Sequence, residues 1–544
     1  MISKELRNTV TTWIEDDPDL KTAELLQHYL DTENDAELNS CFSGFLEFGT
    51  AGLRGALGPG PSRMNRAVVG RTAAGLVEFM KSRNLNSIVI GRDARYGSED
   101  FTNDTAEIMA GAGFTTFVLP RPLPTPVLAF AVNELNVDVG VMVTASHNPA
   151  QDNGYKVYLG GVVDGINYRG SQIISPTDST ISKEIAGISA LRTIPRSENW
   201  KIVDEKIISE YVTRTAARVK SVGNLKVVYT ALHGVGTETL LSVFHKAGFA
   251  TPILVSAQAE PDPDFPTTSF PNPEEPGAID LALDTARNFN ADLVIANDPD
   301  ADRCAIAINE NGDWRMLRGD EVGAILGEYI GSVNPQGTFA NSIVSSSILR
   351  KIATNYAINF AETLTGFKWL AKIPDLTFGY EEALGYCVDS KTVNDKDGIS
   401  AGLLIAEIAA NLASSGSSLA LYLDQIWLKY GYHATSQISL RVSGLGKINQ
   451  IMDYFRNQRP AEIAGYRVLN FTDLLTTDSG LPATDGVRFW LGSDARIIIR
   501  PSGTESKIKC YIEVVATGEI STAKAKADST IDLLRQALTK LLVG

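Results

Sequence analysis

A unit of buried strand, helix, glycine stop and second strand recurs along this chain, and it limits the possible folds more than any other feature. The first copy starts at 87–93 (SIVIGRD) and continues into a helix with Thr105, Ile108, Met109 and Ala112 at helical spacing. It ends at Gly113-Phe114 and the strand TTFVL. The second reads LKVVYTAL, a helix through Leu240, Leu241 and Phe244, Gly248-Phe249 and then PILV. A third, fainter copy reads SIVSSSIL, a helical stretch and Gly366-Phe367 before KWLA. Parallel strands need a long crossover, usually a helix, so each copy predicts part of a helix-covered sheet. The last hundred residues differ: several β-rich segments precede a helix from about Ala523 to Leu542, which predicts an α+β domain with a mainly antiparallel sheet.

At 544 residues the chain is too long for one core. The expected class is α/β, with three similar mixed or parallel α/β domains in series and a C-terminal α+β domain. The expected divisions are 1–203, 204–314, 315–433 and 434–544, with seams near 192–205, after Ile308 and near 429–436. The proline-rich stretch 259–277 (AEPDPDFPTTSFPNPEEPG) lies inside the second copy and reads as a long ordered surface loop, not a linker.

Charge and cysteine usage exclude several function classes. Lys and Arg number 49 against 64 Asp and Glu, a net charge of −15. General nucleic-acid binders and polybasic membrane anchors need dense positive charge, so neither partner is expected. A small anionic substrate needs only a local basic pocket. The N-terminus turns acidic at Glu15, Asp16 and Asp17 with no apolar stretch before it, and no run approaches the roughly 18 apolar residues of a span. Cys41, Cys304, Cys387 and Cys510 lie far apart without a CxxC pair, so reduced thiols and a cytoplasmic location are expected.

Four motifs carry chemistry. Asp298-Pro299-Asp300-Ala301-Asp302-Arg303 follows the strand ADLVIA. In an extended chain its three carboxylates face one way, and a hard divalent cation relieves their repulsion. An EF-hand would need Gly and Glu where Arg303 and Asn309 stand. Thr144-Ala145-Ser146-His147-Asn148-Pro149 ends the strand VDVGVMV, where functional groups of open α/β sheets gather. Ser146 is either a reactive hydroxyl or a turn or helix-cap residue; no GxSxG elbow accompanies it. Downstream, Asp152-Asn153-Gly154-Tyr155-Lys156 reads as a turn that presents a lysine, a proton-transfer group or a surface side chain. Arg500-Pro501-Ser502-Gly503-Thr504-Glu505 combines arginine, two hydroxyls and an approachable glycine backbone, which suits a phosphate as well as a turn. Gly379-Tyr380-Glu381-Glu382-Ala383-Leu384-Gly385 places two glutamates on a loop, suited to sugar hydroxyls or to solvent. The glycine-rich Gly49-Thr50-Ala51-Gly52-Leu53-Arg54-Gly55 lacks both the Walker ending and GxGxxG spacing, so it gives no support for nucleotide binding.

In this order the motifs resemble the α-D-phosphohexomutase family of phosphoglucomutases and phosphomannomutases, over essentially the whole chain. TASHNP resembles its phosphoserine loop, DPDADR its magnesium loop, GYEEALG its sugar loop and RPSGTE its phosphate loop. FGTAGLRG, DNGYK and DKDG (395–398) are most similar to the branch with phosphoglucomutase-2-type enzymes and phosphopentomutases. The resemblance implies a phosphosugar mutase that moves phosphate between C1 and C6 of a hexose through a phosphoserine and a bisphosphorylated sugar. Glucose phosphates come first and mannose phosphates second. It implies that Ser146 carries the phosphoryl group and that Asp298, Asp300 and Asp302, with Ser146, bind Mg²⁺. Arg54 and Arg303 would stabilise the transferring group, and Lys156 would act as general acid/base, supported by His147 and Lys396. Glu381 would bind the sugar, and Arg500, Ser502, Gly503 and Thr504 the distal phosphate. Glucose 1,6-bisphosphate is the implied activator and a small sugar phosphate the partner. Ala383 stands where many glucose and mannose mutases have serine, as in the pentose branch. Phosphopentomutase or glucose 1,6-bisphosphate synthase is therefore the alternative, and a metal-dependent sugar phosphatase the alternative from another class.

Overall fold

The computed structural model describes residues 2–47, 52–442, 445–476, 480–492, 494–502 and 507–543. The chain divides into two compact units, Met1–Met316 with Gly385–Asn411, and Leu317–Leu384 with Leu412–Gly544. No single helix among the described residues is long and apolar enough to cross a membrane. The four cysteines are buried free thiols.

The first unit opens with three helices, Lys4–Asp16, Leu20–Asp31 and Asp35–Cys41, capped at their starts by Ser3, Asp19 and Asn34. Its larger sheet is mixed. Val139–Val143, Ser87–Arg92 and Thr115–Val118 run parallel, and Asp152–Leu159 pairs antiparallel with Val139–Val143 on one side and Leu53–Ala56 on the other. Val139–Val143 is buried along its length, which explains its unbroken apolar run. The second sheet joins Ile253–Leu254, Val227–Thr230 and Leu293–Ala296 in parallel, then adds Ala305–Glu310 and Asp313–Met316 antiparallel. Gly113 and Gly248 end the helices of the first two copies at φ +89° and +91°, a backbone region where a side chain is strained. The proline-rich stretch holds neither helix nor strand between Gln258 and Asp280, yet Phe265 and Asn272 are buried, so it is an ordered loop.

The second unit joins Asn359–Thr363, Thr338–Ser342 and Leu376–Glu381 in a parallel sheet. The third copy is therefore displaced from its expected position: its strand is Thr338–Ser342, and SIVSSSIL forms a turn that enters the helix Ile348–Asn355. The serines satisfy nearby groups instead of a strand ladder, as where Ser346 Oγ accepts from the Ile348 N–H. Ile343 and Val344 are buried with Leu474, Ile498 and Tyr511. Ala357, at φ 53°, turns this copy's chain out of its helix. Gly366 instead precedes a short helix, Phe367–Leu370, where KWLA lies. The C-terminal sheet is antiparallel throughout, in the order Tyr432–Arg441, Lys507–Ala516, Ala495–Pro501, Val487–Leu491, Tyr466–Asp473 and Glu462–Ile463. The helix Ile520–Val543 packs on its first two strands.

Candidate active site

The buried strand Leu293–Ala296 delivers the aspartates into the first unit. The chain beyond it is not extended as expected. It makes a tight turn in which Ala301 sits at φ 53°, its N–H donates to Asp298 O at 2.8 Å, and the Arg303 N–H donates to Asp298 Oδ1 at 2.9 Å. The turn brings the three carboxylates together, with one oxygen of each within 4.8 Å of the others, and all three are buried. Like charges about 4 Å apart repel by about 4 kcal/mol at an effective dielectric near 20, so the cluster needs cations. Lys156 Nζ supplies one, 2.6 Å from Asp300 Oδ2 and 2.9 Å from Asp302 Oδ2; Lys396 Nζ lies 3.1 Å from Asp302 Oδ2. Even so, Asp300 Oδ1 and Asp302 Oδ1 are buried and accept no hydrogen bond among the described residues. Orphaned carboxylate oxygens beside a third carboxylate fit a hard divalent cation. Burial and then the charges of Asp300 and Asp302 push the Asp298 carboxyl up to about 8. The same burial acts on Asp302, but Lys156 and Lys396 outweigh it and hold that carboxyl below the usual range.

Ser146 lies just beyond Val139–Val143, at φ 53° and 2% exposed. No helix follows it, so it caps none. Its Oγ donates to Asp298 Oδ2 at 2.7 Å and lies 3.2 Å from His147 Nδ1. Burial, then the charges of Arg303 and Arg54, hold the His147 imidazole well below its usual range, so it is neutral at pH 7. Lys156 is not on an exposed turn: it lies inside the strand Asp152–Leu159 and is 2% exposed, because the acidic cluster neutralises it there. Arg54 pairs across from Gly154, its Nε buried without a hydrogen-bond partner among the described residues. A Cβ at Gly154 would meet the Thr144 and Leu53 carbonyl oxygens at 2.6 and 2.8 Å, so these strands close up only on glycine. Arg303 lies 4.0 Å from Asp298 and 3.8 Å from Glu274. Lys396 sits between two anchored aspartates. Asp395 accepts from Tyr158 and Gln172, and Asp397 accepts from Tyr211 and from the first N–H groups of the helix Gly398–Ser414.

Two residues of this centre escaped the sequence reading. Thr125 Oγ1 donates to Asp300 Oδ2 at 2.6 Å, fixing one carboxylate of the cluster. Arg95 donates through Nη2 to the Ser146 and Asn148 carbonyls at 2.7 and 2.6 Å, and through Nη1 to those of Pro149 and Asp152 at 2.7 and 3.2 Å. The sequence carries only a faint mark of Arg95, its place two residues after Asp93 at a strand end, and no motif includes it.

In the second unit, Glu381 ends the strand Leu376–Glu381, so Gly379, Tyr380 and Glu381 are strand residues and not the loop expected. Glu381 accepts from the Gly366 N–H at 2.7 Å. Its neighbour Glu382 accepts from Ser345 Oγ at 2.9 Å and Ser342 Oγ at 3.1 Å, and burial, then the Glu381 charge, raises its carboxyl. Arg500 stands in the strand Ala495–Pro501 opposite Lys509. The Ser502 N–H donates to Lys507 O at 2.8 Å. Gly503 and Thr504 lie outside the described residues, as do Gly49, Thr50 and Ala51.

A buried serine on a carboxylate, beside a cation-ready cluster and several cationic side chains, is an arrangement suited to chemistry on a phosphate. Comparison with known proteins gives the family. Phosphoglucomutase/phosphomannomutase alpha/beta/alpha domains I, II and III match residues 46–191, 208–312 and 318–430, and the C-terminal domain matches 454–527. A "Probable phosphomannomutase" of Haemophilus influenzae is 47% identical, over 83% of this chain and 93% of its own length. The human phosphopentomutase is 34% identical over 93% and 90%, and a Staphylococcus aureus phosphoglucomutase 32% over 90% and 93%. A Burkholderia thailandensis phosphoglucomutase/phosphomannomutase family protein shares the fold, with a TM-score of 0.71 at 19% identity over 91% of this chain and 97% of that one. This chain belongs to the phosphoglucomutase/phosphomannomutase family. It is an isomerase, a phosphosugar mutase.

Proposed function

We propose that this mutase interconverts glucose 1-phosphate and glucose 6-phosphate through a phosphoryl group carried on Ser146. The observation that carries the reading is the Ser146 Oγ to Asp298 hydrogen bond at 2.7 Å, within a carboxylate cluster where Asp300 Oδ1 and Asp302 Oδ1 accept no hydrogen bond among the described residues. A serine hydroxyl is a weak nucleophile, and its buried, cation-lined setting supplies the missing activation. Asp298, Asp300 and Asp302, with the phosphorylated Ser146, would hold Mg²⁺, which when bound offsets the charge of the phosphoryl oxygens. In the first transfer the phosphoserine P–O bond breaks as a sugar hydroxyl oxygen bonds to phosphorus. Lys156, the ammonium of the cluster, gives a proton to the serine oxygen as that bond breaks and takes the hydroxyl proton in its place, with His147 and Lys396 in support. Arg54 and Arg303 carry the transferring oxygens. The resulting bisphosphorylated sugar turns over and returns its other phosphate to Ser146. Glu381 is assigned to the sugar hydroxyls, and Arg500 with Ser502, Gly503 and Thr504 to the phosphate that is not reacting.

Glucose 1,6-bisphosphate is the proposed activator, because it phosphorylates Ser146 directly. The four-domain division at 203, 314 and 433 is part of the same proposal. Ala383 in place of a hydroxyl, and relatives named phosphopentomutase, favour ribose 1-phosphate as a second substrate. Phosphorus NMR of parallel reactions on glucose, mannose and ribose 1-phosphate, each with Mg²⁺ and a trace of bisphosphate, tests the assignment. Glucose 1-phosphate is expected to convert fastest to a terminal ester. Faster conversion of ribose 1-phosphate would move the assignment to the pentose, and accumulation of inorganic phosphate would make the protein a phosphatase.

A further inference from the structure

The proline-rich loop 259–277 has no part in the chemistry above, yet three of its side chains rest on residues of the catalytic centre. Phe265 lies against the Arg95 guanidinium, 4.8 Å from ring centroid to Cζ. Phe270 approaches the His147 ring at 6.4 Å between centroids, tilted by 46°. Glu274 lies 3.8 Å from Arg303.

The loop is pinned where it leaves the second sheet. The Asp262 N–H donates to His233 O at 3.0 Å, Thr237 Oγ1 donates to Ala259 O at 2.6 Å, and Gln258 Nε2 donates to Thr267 Oγ1 at 2.8 Å. Phe265 is 4% exposed and sits at φ 47°, a conformation that a bulky side chain adopts only where its surroundings enforce it. The ring face it presents is the natural seat for a planar cation. On its other contacts that cation grips the carbonyls of Ser146, Asn148, Pro149 and Asp152, and it pairs with Asp93 at 3.3 Å. Ser146 itself is held at φ 53°, so its backbone needs a restraint beyond the local chain.

We propose that Phe265 is a positioning residue for phosphoryl transfer: its ring keeps the Arg95 fork in the plane that holds the Ser146 loop. The inference rests on the reading of Ser146 as the phosphoryl carrier. Small displacements of a reacting oxygen cost large factors in rate, whereas sugar-phosphate binding depends on other groups. A Phe265→Leu substitution keeps an apolar side chain, though a smaller one, and removes the ring face.

The test is a double-mutant cycle with Phe265→Leu and Arg95→Lys in the full-length protein. It reads the single-turnover rate of phosphoryl transfer from glucose 1,6-bisphosphate to the enzyme, with kcat, KM and the thermal midpoint. Phe265→Leu is expected to slow transfer and kcat by about tenfold while KM stays within about twofold. In the Arg95→Lys background, where the fork is already lost, the same substitution is expected to add nothing. If Phe265→Leu does not fold, Phe265→Met takes its place in the cycle. Unchanged transfer in the Phe265 variant, or equal slowing in both backgrounds, overturns the proposal. Failure of the wild-type protein to take up any phosphoryl group would instead bring down the reading of Ser146.

Discussion

At the scale of single residues, each side chain's charge balance decides what it can do. Ser146→Ala removes the atom that bonds to phosphorus but no group assigned to sugar-phosphate binding. Turnover is expected to fall by roughly a thousandfold or more, with substrate binding within a few-fold, as a calorimetric titration beside a rate assay would show. Arg500 has the opposite expectation. Loss of a charge-assisted hydrogen bond is worth about 1.5–3 kcal/mol, so Arg500→Ala should raise KM by roughly ten- to a hundredfold with a smaller change in kcat. An unchanged KM would remove Arg500 from the phosphate set. The serine, the aspartates, Arg303 and Arg500 stood out in the sequence because each belongs to a short contiguous motif with an unusual density of functional groups. Arg95 and Thr125 were not legible. One acts through backbone carbonyls, which have no letter code, and the other touches a single oxygen 175 residues away.

At the scale of elements, the alternation of buried strand and helix was legible wherever a glycine marked the exit. The first two copies end their helices on Gly113 and Gly248; the third uses Ala357, whose left-handed backbone leaves no trace in composition. The serine-rich segment misled the strand assignment because its apolar residues serve a core between sheets instead of a ladder. The tight turn of the aspartate loop was hidden for a related reason, since Ala301 carries the left-handed conformation.

Asp320, at the start of the helix Gly319–Val333, exposes the cost of burying charge in an element. Its Oδ1 accepts from the Ser346 N–H at 2.6 Å and Tyr380 Oη at 3.0 Å. Burial, reinforced by the charges of Glu382 and Glu513 and opposed by the Ser346 hydrogen bond, pushes its carboxyl up to about 6. The folded chain thus holds this proton more tightly than the unfolded chain. The group favours folding most below pH 3.8, and that contribution is lost as pH rises through about 6. Asparagine keeps the accepting oxygen without the charge. Asp320→Asn is therefore expected to stabilise the protein by roughly 1–3 kcal/mol at pH 8 and to change little at pH near 4. Thermal unfolding at the two pH values checks this, and a loss of stability at pH 8 would contradict it.

At the scale of the whole molecule, the residues of the proposed function fall in both units. The first carries the serine, the aspartate cluster and the lysines; the second carries the paired glutamates and Arg500. The order of motifs made the family legible from the sequence. The placement of Gly385–Asn411 with the first unit was not, although it is what brings Lys396 to Asp302. That placement depends on buried contacts of Asp395 and Asp397 with residues more than 180 positions away, and no local pattern encodes such a partner. If the orphaned oxygens of Asp300 and Asp302 hold the proposed cation, activity depends on it. Chelation with EDTA is expected to abolish activity, and excess Mg²⁺ to restore it; full activity after exhaustive chelation would rule out the metal assignment.

The most direct test of the account is the mass of the enzyme itself. Incubated with glucose 1,6-bisphosphate and Mg²⁺, the wild-type chain is expected to gain one phosphoryl group on the peptide that contains Ser146, and to lose it to glucose 1-phosphate with formation of bisphosphate. A chain that turns over sugar phosphate but never gains that mass, or that releases the group only as inorganic phosphate, would contradict the claim that Ser146 shuttles phosphate within a mutase.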